Sequence, residues 1–241
     1  MTEHKLHILN SADAYIENAT AFLETALRKA IDLQGRATLL VSGGSSPKPV
    51  YQALSQIDLG WDKVTVSLVD ERWVPEGAEG SNASFIKNTL LQNFGAEAKF
   101  VSMVSDEETA KAGEDTINHR FQTEFSKPID ICVMGMGTDG HTASWFPRSP
   151  TLERALDIEG AKDIVWQDAS GQAGGSGFDD RITVTLPLVM RAKHIALLIP
   201  GQSKADVWAE SANKDVLDAP VTSLRAAGLR LNVFTHTPPK G

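Results

Sequence analysis

Apolar positions along this chain recur in two periods, and the switches between them mark out its elements. From Ser11 onward, Ile16, Ala19, Leu23, Ala26, Leu27, Ala30 and Ile31 return three or four residues apart. That spacing predicts an amphipathic helix with Ser11 as its N-cap and a stop near Gly35. Short apolar runs predict strands at 37–41, 64–69, 100–103, 130–134, 164–167, 182–185, 195–199 and 229–234. The helical period returns between them at 47–57, 82–92, 106–125 and 203–212. Short apolar strands alternating with helices imply an α/β fold: a mostly parallel sheet with helices on both faces, Rossmann-like in architecture. No internal repeat or low-complexity tail interrupts the pattern, and 1–241 reads as a single domain. Only 168–180 breaks it, with four glycines and little apolar content. Such a segment cannot pack a core and reads as a mobile surface loop, or as a flap beside a site because it leads into Arg181.

The chain has 241 residues, is 41% hydrophobic, and carries a formal net charge of −8. Acidity of that size argues against nucleic acid or an anionic membrane as partner, while leaving room for a locally positive pocket. The start, Met1-Thr-Glu-His-Lys5, is polar with no signal-peptide core after it, and no apolar run is long enough to span a bilayer. Cys132 is the single cysteine and sits in an apolar strand, where its thiol should be inert; a reducing cytoplasm fits best. His4, His7, His119, His194 and His236 are scattered without metal-ligand spacing, so neither a metal nor another cofactor is expected.

Candidate chemistry lies where strands end. After the strand at 130–134 come Gly135, Gly137 and Gly140, and these release Asp139 and His141. Glycines allow positive φ and close backbone approach, and a histidine delivered there suits a general base. Gly135-x-Gly-x-x-Gly140 also matches the dinucleotide fingerprint, but Pro147 and Pro150 interrupt the helix it needs, and no second strand leads to Asp157 or Glu159. A nicotinamide or flavin site is therefore not expected.

Ser42-Gly43-Gly44-Ser45-Ser46 joins a strand to Pro47 at a helix start, so its backbone N–H groups and the helix dipole suit a phosphate. It lacks the Gly-Lys-Ser/Thr of a P-loop, and an ordinary strand-to-helix turn is the alternative. Asp70, Glu71 and Arg72 end the next strand. Arg72 could hold a phosphate or carbonyl oxygen, with Asp70 and Glu71 orienting it or capping backbone; a solvated turn is the alternative. Arg181 and Lys204 follow at two further transitions. Each would ordinarily be solvated, but a doubly wound sheet gathers all four transitions on one edge.

Five ordered motifs then carry a resemblance over nearly the whole chain: Ser42–Pro47, Asp70-Glu-Arg-Trp-Val-Pro75 with Ser81-Asn82, Gly135–Pro147, Arg181–Pro187, and Gly201-Gln-Ser-Lys204. In this order they resemble the 6-phosphogluconolactonases. Ser46 stands where threonine is common, keeping the hydroxyl, and Trp145 replaces a smaller apolar residue. The resemblance implies the sugar-phosphate-isomerase-like fold shared with glucosamine-6-phosphate deaminases. It also implies cofactor-free hydrolysis of 6-phospho-D-glucono-1,5-lactone, a small-molecule substrate, by a cytoplasmic monomer or weak homodimer. Carried over by motif, His141 is the base with Asp139 beside it, and Arg72 lies near the reacting lactone. Ser42, Gly43, Gly44, Ser45, Ser46, Asp70, Arg181 and Lys204 bind the substrate and its phosphate. The deaminases resemble this chain at the phosphate loop and at Asp-Gly-His, but carry Glu-Pro where it has Phe146-Pro147 and Asp-Glu-Tyr where it has Asp70-Glu71-Arg72. A sugar-phosphate sensor that binds without turnover is the alternative from another class.

Overall fold

The structure, a computed structural model, describes residues 3–236; Met1 and Thr2 of the polar start lie outside them. Seven parallel strands form the main sheet: β1 (Lys5–Leu9), β2 (Ala37–Val41), β3 (Val64–Leu68), β5 (Lys99–Phe100), β6 (Ile131–Met134), β9 (His194–Leu198) and β10 (Leu231–His236). Their order is β1-β10-β9-β6-β2-β3-β5. Every residue of β2 and β6 is buried, as in a parallel sheet covered on its faces. The helices are α1 (Ala12–Gln34), α2 (Lys48–Ser55), α3 (Asn82–Lys87), α4 (Ala110–Glu124), α5 (Leu152–Leu156), α6 (Leu186–Met190) and α7 (Gln202–Ser211). One core cluster runs from Tyr15 to Phe234.

Local chemistry sets the ends of α1 as the pattern predicts. Ser11 Oγ accepts the Ala14 N–H at 3.1 Å, and Gly35 closes the helix with φ of 71°. Elsewhere packing moved the boundaries. The helix at 82–92 stops at Lys87, and beyond it the Leu90 carbonyl packs against Gly95, where a Cβ would stand 2.1 Å away. The helix at 106–125 begins only at Ala110, where Thr109 accepts the Ala112 N–H. β1, α5 and α6 give no clear periodic signal, β1 being an edge strand with exposed Leu6 and Ile8.

The main sheet is parallel throughout, and two of the apolar runs lie outside it. β7 (Ile164–Asp168) and β8 (Asp180–Val184) leave it and pair antiparallel with β4 (Asp70–Arg72), in the order β4-β8-β7. An apolar run reveals a strand but not its neighbours. This small sheet stands beside the C-terminal end of β3 and turns two arginines toward the same space.

Candidate active site

The C-terminal ends of β2, β6 and β9 adjoin in the sheet, and the loops leaving them share a cavity of about 270 Å³. Ser42, Gly43, Gly44, Ser45, Ser46, Asp70, Arg72, His141, Arg181 and Lys204 all line it. Asp139 reaches it through His141. The sequence-derived set is therefore brought together whole, from five segments far apart in the chain.

The Ser42–Ser46 loop hangs from two buried tyrosines: Tyr51 Oη donates to the Ser42 carbonyl at 3.1 Å and Tyr15 Oη to the Ser46 carbonyl at 3.2 Å. Its two glycines are required for different reasons. Gly44 has φ of 99°, which a side chain resists, whereas a Cβ at Gly43 would stand 2.2 Å from Asn82 Oδ1. Lys204, on the first turn of α7, donates to Ser46 Oγ at 2.7 Å, and burial lowers its pKa. Ser42 Oγ is buried without a hydrogen-bond partner, a state that leaves it available to a ligand.

After β6 the backbone folds back on itself: Gly137 N donates to the His141 carbonyl at 2.9 Å, and Gly140 takes φ of 87°. His141 Nδ1 lies 2.6 Å from Asp139 Oδ1, which also accepts the His141 backbone N–H. A carboxylate on Nδ1 favours the tautomer whose Nε2 carries the free lone pair. Partial burial works against the Asp139 carboxylate, but the His141 ring and N–H outweigh it and hold its pKa below the usual value. The ring sits against backbone at two places, since a Cβ at Gly137 or Gly174 would approach it to 2.3 or 2.6 Å. No helix opens at Gly140. The chain turns through Thr142–Trp145 instead, and α5 is only five residues long, so the dinucleotide fingerprint lacks its helix.

The small sheet supplies the positive wall. Arg72 and Arg181 are cross-strand partners on β4 and β8, a like-charge pairing that is unfavourable without an anion between them. Arg181 is 2% exposed, and burial with Arg72 nearby draws its pKa down to about 10 against the pull of Asp70. Its Nε donates to the Phe178 carbonyl at 2.7 Å and its Nη2 to that of Gly175. Arg181 thus clips the 168–180 segment over the site, where Gly174 and Ser176 line the cavity, and the segment is a flap rather than a bare surface loop. Asp70 accepts from Ser144 Oγ at 2.6 Å and lies 3.7 Å from Arg181, so it steadies Arg181 and the His141 loop. Glu71 caps backbone, taking the N–H groups of Arg72, Asn82 and Ala83.

Sequence reasoning gave no role to Asn82, Ser144, Gly174 or Phe146, all of which help build the site. Asn82, Ser144 and Phe146 fall within the quoted motifs, but their partners lie on other segments. Trp145, whose indole donates to the Val184 carbonyl, is fully buried packing.

Residues 10–232 match the family model described as glucosamine-6-phosphate isomerases/6-phosphogluconolactonase. A 6-phosphogluconolactonase of Rhizobium meliloti (strain 1021) is 38% identical over 95% of this chain and 97% of its own. The crystal structure of a 6-phosphogluconolactonase from Shewanella baltica OS155 superposes with a TM-score of 0.87 at 31% identity, covering 99% of this chain and 98% of that one. A monomeric glucosamine-6-phosphate deaminase shares the fold, with a TM-score of 0.76 at 15% identity over 96% of this chain and 97% of its own.

Proposed function

The chain belongs to the family of glucosamine-6-phosphate isomerases and 6-phosphogluconolactonases, and on that premise we propose that it hydrolyses 6-phospho-D-glucono-1,5-lactone to 6-phosphogluconate, in the oxidative pentose phosphate pathway, by histidine-assisted attack of water. The observation that carries this reading is one cavity holding a His141–Asp139 pair at 2.6 Å together with Arg72, Arg181, Lys204 and the serine loop. The cations and loop N–H groups suit a phosphate dianion, and the histidine suits a carbonyl that water must attack.

His141 Nε2 takes a proton from water as its oxygen bonds to C1. The tetrahedral oxyanion is met by Arg72, whose unpartnered buried Nε and opposition to Arg181 leave its wall positive. Collapse breaks the bond from C1 to the ring oxygen, and the imidazolium returns its proton to that leaving oxygen. Asp139 fixes the tautomer and stabilises the imidazolium. Lys204, Ser42 and Ser46 hold the phosphate at the other end, and Asp70 acts by orienting Arg181 rather than by touching phosphate. The one core cluster from Tyr15 to Phe234 supports a single catalytic unit.

Deamination is disfavoured by a specific contact. Where the resembling deaminases carry a glutamate, the buried Phe146 ring sits with its centroid 5.0 Å from that of His141, so the position that would supply the ring-opening acid holds an apolar ring. A parallel assay of phosphogluconolactone hydrolysis and glucosamine-6-phosphate deamination tests the reading. Wild-type protein should accelerate only the first, and His141→Ala should lose about 10²–10⁴-fold in kcat while still binding 6-phosphogluconate. Near wild-type turnover by His141→Ala, after subtraction of spontaneous hydrolysis, refutes the mechanism; binding without any turnover by wild type would identify a sensor.

A further inference from the structure

We infer that Asn82 is a positioning residue for this hydrolysis, its side-chain amide setting the Arg72 guanidinium against the lactone from a seat built by Glu71. The inference rests on the proposed lactonase reaction. Asn82 is 5% exposed yet lines the cavity. Its Oδ1 accepts from Arg72 Nη1 at 3.0 Å, while its Nδ2 donates to the Asp70 carbonyl at 2.9 Å. Only an amide offers an acceptor and a donor at that length; an aspartate there would face the Asp70 carbonyl with a second oxygen.

Arg72 Nη1 also donates to the Gly80 carbonyl. Both contacts fall on Nη1, which fixes the rotation of the guanidinium fork and leaves Nη2 for substrate. The backbone beneath is tied as closely. Glu71 Oε1 accepts from both Arg72 N (2.8 Å) and Asn82 N (2.7 Å), while Oε2 takes Ala83 N at 2.7 Å. Glu71 itself is 1% exposed. One carboxylate therefore spaces the two residues whose side chains pair. The same amide fills the room a Cβ at Gly43 would need, so Arg72 and the serine loop are gauged against one group.

A merely structural role as helix cap is already filled: Ser81 is the N-cap of α3, its Oγ accepting the Ser84 N–H at 3.1 Å. The amide of Asn82 is thus free for Arg72.

A double-mutant cycle on kcat separates positioning from support. Asn82→Ala should lower kcat about 10–100-fold, the scale of an ångström's misplacement, with KM changed less than about threefold. Because the effect runs through Arg72, adding Asn82→Ala to Arg72→Ala should cost less than about threefold more. Thermal denaturation of each variant checks folding, and Asn82→Ser repeats the cycle if the alanine variant does not fold. Losses that multiply, or a folded Asn82→Ala with wild-type kcat, overturn the inference; so does failure of both substitutions to fold, which would make Asn82 structural. An active wild type with multiplying losses overturns this inference alone. A wild type inactive on the lactone overturns the proposed function and takes the inference with it.

Discussion

Gly174→Ala puts the His141 geometry to a quantitative test. An added Cβ would stand 2.6 Å from both Cε1 and Nδ1 of His141 and 3.1 Å from Asp139 Oδ2. Ordinary carbon contacts begin near 3.4 Å, so the ring or the flap must give way by about 0.8 Å. The ring has little room on its Gly137 side, where a Cβ would come to 2.3 Å, and its Nδ1 is held by Asp139. Misplacing a catalytic group by about 1 Å can cost about 10²-fold, so kcat should fall about 10–100-fold. KM should stay within about threefold of wild type, because the serine loop and Lys204 grip the far end of the substrate. Gly171→Ala is the control from the same flap: its φ is 72° with nothing within 4 Å of a Cβ, so it tests backbone strain alone. Initial rates of 6-phosphogluconate formation, corrected for spontaneous hydrolysis, read both variants. Wild-type kcat in a folded Gly174→Ala protein would refute the idea that the flap seats His141, as would an equal loss in Gly171→Ala.

Lys204→Ala should raise KM for the phosphorylated lactone by roughly 1.5–3 kcal/mol of lost charge-assisted bonding and leave kcat nearly intact; an unchanged KM would remove Lys204 from the phosphate grip. Burial pushes the Glu71 carboxyl up to about 7 against the three N–H groups it accepts. A raised folded pKa means the folded state holds the proton more tightly. This contribution is therefore full below pH about 4.5 and is lost as pH climbs through about 7, a swing of up to about 3 kcal/mol. Urea unfolding at pH 5 and pH 8 should show the difference shrinking in Glu71→Gln, and an identical difference in both proteins would contradict the assignment. The glycine-rich loop should bind no NAD, NADP or flavin at millimolar concentration, whereas 6-phosphogluconate should raise the Tm, and less so in Lys204→Ala. Saturable nicotinamide binding with no shift from 6-phosphogluconate would overturn that reading.

Much of this molecule is determined locally. The α1 caps at Ser11 and Gly35, the buried runs of β2 and β6, and the glycines that release Asp139 and His141 all follow from periodicity and backbone freedom. Interactions of that kind span a few residues, so the sequence alone determines them. It also determines that four strand ends carry the polar groups, and parallel α/β topology sends such ends to one edge. What the sequence leaves open is which distant segments touch. β7 and β8 are apolar runs like any other, yet they leave the main sheet to pair antiparallel with β4, and only that pairing sets Arg72 opposite Arg181. Gly43 carries no sign that its missing side chain makes room for Asn82, nor Gly174 that it makes room for His141. Glu71 reads equally as a backbone cap or as part of a solvated turn, and only the fold, by burying it over the start of α3, decides for the cap. These relations depend on long-range packing, where a residue's role is set by whichever surface arrives against it, and only the tertiary structure decides that.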